Sequence, residues 1–449
     1  MESFDLAVVG GGIAGVKGAK RASELGASVA VVERDVVGGA CPFTGCMPKK
    51  FMVVAARKVR DATAPGPAGI DAELEELDWP ELIEHQRSVV SGLADNYETK
   101  LREDDGIRLV RGDARLRPGP KVEVDGERID ADRVMVTTGL RPARPPIDGV
   151  EHGQTSDDFF KARTRPESTV IVGGGYIGVE FGSLLRTFGT EVTILEMRDQ
   201  LIPQYGREVA DQLQSQLEAQ GIEVHTSTRA REIEPVGEGY RVHASNGEGD
   251  EALEAERVLM VAGRVPNTEG LGLEDVGVEL DEQGHIEVDE TYRTANSDVF
   301  AAGDVVGIPQ LTPAAIREAR TAVENALEDA SETLDFSTLP SAVFTTPPVA
   351  CTGLSEASAR QRFERVEVAR NGFGHFSASV KDLDEETFIK TVFAGEDQRL
   401  VGLQVVGPHA PDIVQGFSLA IDLGCTRADL EDASGIHPTL GEEVVAALP

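Results

Sequence analysis

The sequence predicts an α/β fold, two doubly wound βαβ units followed by an α+β segment. Three observations carry it. A short apolar run ends in closely spaced glycines and a helix-like stretch. The same arrangement returns once further along the chain, and the C-terminal quarter alternates in the manner of antiparallel strands.

The first unit opens with Asp5-Leu6-Ala7-Val8-Val9, apolar enough for a buried strand. Gly10-Gly11-Gly12-Ile13-Ala14-Gly15 follows, with Gly10, Gly12 and Gly15 at the spacing GxGxxG, and the run Val29 to Val32 ends in Glu33. Glycines so spaced let a backbone approach a pyrophosphate at a helix N-terminus, and an acid ending the second strand holds a ribose hydroxyl pair. The second unit repeats this order with Ser168 to Val172, then Gly173, Gly175 and Gly178, then Val192 to Leu195 closing on Glu196. Two such units imply two Rossmann-like domains and two bound dinucleotides.

Between the halves of the first unit lies Gly38-Gly39-Ala40-Cys41-Pro42-Phe43-Thr44-Gly45-Cys46-Met47-Pro48-Lys49-Lys50. Cys41 and Cys46 are expected at the opening of a helix, as a redox-active disulfide. Five residues of regular helix separate Cα atoms by roughly 7.5 Å, slightly too far for an S–S bridge. The first turn is therefore expected to be distorted, with Gly45 supplying the freedom. A helix N-terminus and two lysines favour a thiolate at one of the sulfurs. A chain that binds two dinucleotides and carries a dithiol is built to pass two electrons between a nicotinamide, a flavin and a disulfide.

Composition narrows the setting. A chain of 449 residues has room for several domains. No 18-residue apolar run and no charged-then-apolar leader occur, so a soluble, unexported, cytoplasmic protein is expected. The net charge of −35 disfavours nucleic acid and anionic membranes as partners. Ten of the 43 bases are Lys and the rest Arg. A GC-rich genome alone would raise Arg over Lys, but not the acid excess, so the surface resembles that of proteins from salt-loving organisms. Half of the lysines, Lys17, Lys20, Lys49, Lys50 and Lys58, crowd into the first stretch of chain, and the spacing of Lys17 and Lys20 brings them to one helix face suited to carboxylates. No metal cluster is apparent, and Cys351 and Cys425, without CxxC spacing, are expected to be buried and inert.

Over essentially its whole length the chain resembles the flavin-dependent pyridine nucleotide-disulfide oxidoreductases of the glutathione reductase and lipoamide dehydrogenase group. Val136-Thr137-Thr138-Gly139 and Val261-Ala262-Gly263-Arg264 look like the two family crossings between domains, which places Thr138, Gly139, Gly263 and Arg264 among the cofactor-binding residues. Thr294 to Asp304 matches the second flavin motif, whose Asp holds the ribityl chain, and His437-Pro438-Thr439-Leu440-Gly441-Glu442 matches the C-terminal catalytic motif. The resemblance implies FAD and NADH or NADPH as cofactors. It makes Cys46 the sulfur against the flavin and Cys41 the one that attacks substrate. His437 becomes the acid–base group oriented by Glu442, and Tyr176 the gate over the nicotinamide. An ion pair near the flavin is implied between Glu180 and either Lys49 or Lys50. The second fingerprint gives mixed signals on the nicotinamide, because Glu196 favours NADH whereas Arg198 suits the extra phosphate of NADPH.

The glutathione reductase branch is the nearer one, on Lys49-Lys50, on Leu311-Thr312-Pro313 with Thr312 at a flavin-contacting helix start, and on Gly435, where lipoamide enzymes usually carry His. Tyr97 matches a tyrosine at the glutathione disulfide site, while Lys20 and Arg320 fall at family arginines that bind substrate carboxylates. With Lys17 they imply a cationic substrate site, suited to bis-γ-glutamylcystine or glutathione disulfide. Dihydrolipoamide dehydrogenase is the alternative activity, and a flavin redox sensor without turnover a more distant one. The family plan gives an FAD domain at 1–150 with a helical insert at about 51–105, and an NAD(P) domain at 151–268. A return to the FAD domain at 269–335 and a dimerisation domain at 336–449 complete it, with boundaries good to several residues. In the last domain Arg365-Val366-Glu367-Val368 alternates like a strand and Asp412 to Leu423 like an amphipathic helix. The resemblance implies a homodimer in which His437 serves Cys41 of the partner subunit.

Overall fold

The computed structural model describes residues 3–63, 74–119, 121–247, 249–307, 309–328, 330–374 and 385–449. The chain divides into two compact units, one of Met1–Lys49, Glu81–Ala143 and Arg264–Phe336, the other of Lys50–Pro80, Arg144–Gly263 and Ser337–Pro449.

The first unit begins with β1 (Ser3–Val9), α1 (Ile13–Glu24) and β2 (Val29–Glu33), continues through α2 (Ala40–Phe43), the first turn of α3 (Cys46–Thr63) and nearly all of α4 (Trp79–Arg102), and adds β3 (Ile107–Arg111), β4 (Ala114–Arg117), β5 (Lys121–Val124) and β6 (Glu127–Val136). The parallel strands lie in the order β3-β2-β1-β6, and the short strand Val299–Ala301 pairs with β6 in parallel beyond them. Strand β1 is central, and Leu6, Ala7 and Val8 are fully buried, as a strand covered on both faces requires. Each such side chain contributes roughly 1.5–3 kcal/mol when large and fully buried. Helix α1 packs through Gly18, where a Cβ would stand 2.4 Å from the Met135 methyl and 3.5 Å from Ala319. The helical insert expected from about residue 51 begins earlier, at Cys46, because α3 runs out of the dithiol turn without interruption.

The second unit holds a parallel sheet of Glu223–His225, Glu191–Leu195, Ser168–Val172 and Arg257–Met260, with the helix Tyr176–Thr187 following its central strand. A three-stranded antiparallel sheet, Arg229–Val236, Gly239–Asn246 and Gly249–Ala255, accompanies it. The chain's single tryptophan, Trp79, stands edge-on to Phe188 at 5.6 Å and donates its indole N–H to the Ala162 carbonyl at 3.2 Å. Toward the C-terminus five antiparallel strands, from Ser341–Val343 to Arg399–Val406, bury Ala350, Ile389, Leu403 and Val405 against Val414 of the helix Ala410–Asp422. That helix starts two residues before the expected Asp412, since His409 takes a left-handed conformation and Pro411 fits its first turn.

A nearly buried cation joins parts of this unit. Lys390, 5% exposed, pairs with Glu356 at 2.9 Å and with Glu208, and Arg370 meets both glutamates. The hydrogen bond from Lys390 is the main reason the Glu356 carboxyl is held down to about 2. A folded value below the unfolded one stabilises fully above the unfolded value of 4.5 and ceases to do so as pH falls through about 2. Glu356→Gln is therefore expected to cost about 2 kcal/mol at pH 7 and progressively less in acid. Urea unfolding followed by Trp79 fluorescence at pH 7 and pH 3 checks this; an equal loss at both would reject the ion pair as the cause.

Candidate active site and nucleotide sites

At the end of β1 the chain turns at Gly10, φ +104°, where a Cβ would lie 2.6 Å from the Thr137 carbonyl oxygen. A Cβ on Gly15 would stand 1.9 Å from the Gly10 carbonyl oxygen, so only glycine lets α1 seat this closely on its strand. Gly12 begins α1 with no side-chain cap and no acid in the first turn, which leaves amides directed at an anion. Glu33 accepts from the Gly11 amide at 2.6 Å with one oxygen and from Asp35 at 2.7 Å with the other. A cleft of about 340 Å³ opens here, lined by Gly10, Glu33, Arg34, Thr138, Arg141 and Asn267. Asn267 braces the crossing, receiving the Thr138 hydroxyl at 2.8 Å and donating its own amide to the Gly139 carbonyl at 2.9 Å, while Arg264 donates to the Leu140 carbonyl at 2.8 Å. Burial pushes the Asp304 carboxyl up, opposed by the Arg264 guanidinium. A glycine cradle, an uncapped helix, an acid at the second strand's end and a half-buried acid further along fit FAD.

The second unit repeats the device residue for residue. Gly173 has φ +120°, a Cβ on Gly178 would lie 1.9 Å from the Gly173 carbonyl oxygen, and Gly175 begins its helix uncapped. Glu196, 5% exposed, accepts from Gly174 at 2.7 Å and from Arg198 at 2.8 Å, while the Arg198 side chain is exposed. These residues fit a nicotinamide dinucleotide. Tyr176 is 40% exposed at the start of the helix, and Gly263 closes the unit's crossing at φ +127°. Glu180, one turn on, is 3% exposed and accepts from the Phe344 amide at 2.7 Å. The Lys50 ammonium stands 4.0 Å from the centre of the Phe344 ring. Of the two candidate lysines, Lys50 thus lies against the residue whose amide binds Glu180.

The dithiol segment corrects an expectation. Cys41 and Cys46 do not share one distorted helical turn: Cys41 lies in α2, Thr44 ends α2 at φ −130°, and Cys46 begins α3. The Thr44 amide still donates to the Ala40 carbonyl at 2.9 Å, as in a helix, but the Thr44 φ leaves the helical range and ends the run, and a Cβ on Gly45 would lie 3.1 Å from that same oxygen. The two cysteines stand here as a dithiol, hydrogen-bonded to each other, with no S–S bond between them. A hydrogen bond between them, then burial, raises the Cys41 thiol far above its ordinary range, so Cys41 keeps the proton of the pair. The Thr312 hydroxyl, first in the helix Thr312–Leu327, lies 3.6 Å from the Cys46 sulfur. Tyr97 reaches within 3.4 Å of where a Cβ on Gly38 would be, beside Pro42, and so flanks the turn into Cys41.

His437 holds its Nδ1 2.9 Å from a Glu442 oxygen, and Thr439 caps the helix Leu440–Ala446 by accepting from the Glu442 amide. The His437 side chain is 81% exposed. Lys17 and Arg320 are exposed on either side of the Gly18–Ala319 contact. Lys20 departs from expectation: its ammonium pairs with Asp104 at 3.0 Å, and Asp104 is itself held by Ser23 at 2.6 Å and the Gly106 amide at 3.1 Å. Cys351 and Cys425 are half-buried, with both thiols raised by burial. Sequence reasoning missed Phe344 as the lysine's platform and Glu318 on the buried face of its helix. The second had a signal, since Ala315, Glu318, Ala319 and Ala322 follow one helical stripe.

Residues 4–319 match the family described as pyridine nucleotide-disulphide oxidoreductase, and residues 339–448 match that family's dimerisation domain. The chain is 34% identical to a glutathione reductase of Burkholderia cepacia, over 98% of both chains. It is 35% identical to a dihydrolipoyl dehydrogenase of Halobacterium salinarum, over 99% of this chain and 95% of that one. Among solved structures it is similar, at 25% identity and a TM-score of 0.88, to an HOCl-induced flavoprotein disulfide reductase of Escherichia coli determined as a Cu(II) complex, covering 100% of this chain and 99% of that one. No helix among the described residues is long and apolar enough to cross a membrane.

Proposed function

The chain belongs to the pyridine nucleotide-disulphide oxidoreductases and is an NAD(P)H-dependent flavoprotein disulfide reductase, and within that class we propose that it reduces a small anionic disulfide, bis-γ-glutamylcystine or glutathione disulfide. The reading is carried by Tyr97 beside the turn into Cys41, with Lys17 and Arg320 exposed on two packed helices of the same unit. A substrate with several carboxylates gains from those cations.

Gly10, Gly12, Gly15, Glu33, Thr138, Gly139, Asp304 and Thr312 would hold FAD, which when bound would supply the relay of an electron pair from nicotinamide to the dithiol. The rest falls to the chain's own groups. Cys41 gives its proton to His437 of the partner subunit and attacks one sulfur of the substrate, whose S–S bond breaks, and the first thiol leaves with that proton. Cys46, as the thiolate, then attacks the Cys41 sulfur, closing the protein disulfide and releasing the second product as a thiolate that takes its proton from water. Glu442 keeps the imidazole turned, with Nδ1 toward itself. Lys50, over Phe344, is the partner of Glu180 on the nicotinamide side. Glu196 favours NADH, and Arg198 leaves NADPH usable. The dimerisation domain implies a homodimer, and in our reading each active site draws on both chains.

Lipoamide is the second reading, favoured by the Lys20–Asp104 pair, which cancels one expected cation, and by the dihydrolipoyl dehydrogenase relative. Steady-state turnover in molar KCl with bis-γ-glutamylcystine, glutathione disulfide and lipoamide, each against NADH and NADPH, separates them. A glutamyl disulfide is expected to exceed lipoamide in kcat/KM, and NADH to exceed NADPH. A hundredfold preference for lipoamide would overturn the proposal.

A further inference from the structure

Glu318 is a carboxyl 2% exposed, on the inner face of the helix that starts at Thr312. Its Oε2 accepts from the Gly303 amide at 2.8 Å. Gly303, at φ +80°, is the residue before Asp304, and a Cβ there would stand 3.0 Å from the Ala14 methyl at the start of α1 and 3.5 Å from Ala315. Three parts of the first unit thus meet at this one hydrogen bond: the fingerprint helix, the turn bearing Asp304, and the helix whose first hydroxyl lies against Cys46.

We infer that Glu318 is a positioning residue for FAD, pinning the Gly303–Asp304 turn to the Thr312 helix, and that it takes up a proton when FAD binds. The inference rests on FAD as the dinucleotide of the first unit. The groups facing Glu318 are Asp304 from the turn and Tyr292 from the chain before the strand Val299–Ala301, with Arg317 on its own helix facing Tyr292 and Arg264 facing Asp304. Ala14 brings no charge from α1. Burial, opposed by the Gly303 amide and reinforced by Asp304, holds the carboxyl near 7, so its charge is undecided at physiological pH. The phosphates of bound FAD add negative charge and exclude water, and both favour the protonated form. By linkage, FAD must then bind more tightly on the acid side of neutrality.

Titration of apoprotein with FAD in molar KCl, followed by quenching of flavin fluorescence at pH 6 and pH 8, tests this. Wild-type Kd is expected to rise about fivefold across that interval. Glu318→Gln keeps an acceptor for the Gly303 amide but cannot titrate, so its Kd should stay at the wild-type pH 6 value throughout. Glu318→Leu leaves that amide buried without an acceptor and should weaken FAD about tenfold or more at both pH values; circular dichroism melting of each apoprotein reports folding, and if the Leu variant fails to fold the Gln variant decides alone. A wild type without a slope, or a Gln variant with the wild-type slope, overturns the inference. Apoprotein that binds no FAD at either pH overturns the cofactor assignment and the inference together.

Discussion

Replacing Cys46 with serine is expected to lower turnover with every disulfide by about a thousandfold or more, while FAD and nicotinamide still bind. The expectation follows from the asymmetry of the pair. Cys41 keeps its proton because of the hydrogen bond to Cys46 and its burial, and Cys46 stands against the Thr312 hydroxyl at 3.6 Å. Serine retains the shape and a hydrogen bond to Thr312 but can neither form nor open a disulfide. Anaerobic reductive titration should show the variant accepting one electron pair fewer than wild type. Retention of a tenth of the activity or more would mean that electrons bypass the dithiol.

His437→Gln should cost 10²–10⁴-fold in kcat with little change in nucleotide binding, the range for losing a positioned acid–base group. Glu442→Gln should cost less, about tenfold, because it loosens the ring held at 2.9 Å without removing it. A mixing experiment extends the test to the assembly. Chains carrying His437→Gln, mixed with chains carrying Cys41→Ser, should recover activity in heterodimers, since each heterodimer then has one site with Cys41 of one chain and His437 of the other. No recovery in verified heterodimers would place His437 and Cys41 of one chain in the same site.

What the sequence revealed and what it hid follow from the range of the forces involved. The two nucleotide units were legible because their chemistry is local: Gly10, Gly15 and Glu33 act on backbone atoms a few residues away or on the adjoining strand, and Gly173, Gly178 and Glu196 repeat the pattern. The Lys20 pairing was not legible, because Asp104 arrives from 84 residues along the chain and no local pattern announces it. Lys49 and Lys50 differ by a single step, yet one step turns a helical side chain by about 100°, so only the fold decides which one stands over Phe344. The break after Phe43 rests on the backbone angles of the single residue Thr44, and composition is silent on that. Glu318 lay in view on its alanine stripe, but an acid on an apolar face acquires meaning only when the Gly303 amide is seen opposite.

The break between α2 and α3 also sets a timescale. Thr44 and Gly45 are all that stand between the two short helical ends bearing Cys41 and Cys46, and backbone bonds at Ala40 and Gly45 hold both ends. A nucleophile tethered so tightly has an effective concentration of mM at the least, and far more when well oriented. A mixed disulfide on Cys41 therefore meets Cys46 long before it meets a free thiol from solution. In the proposed reaction such an adduct is expected to be resolved from within and not to accumulate as a thiolated protein.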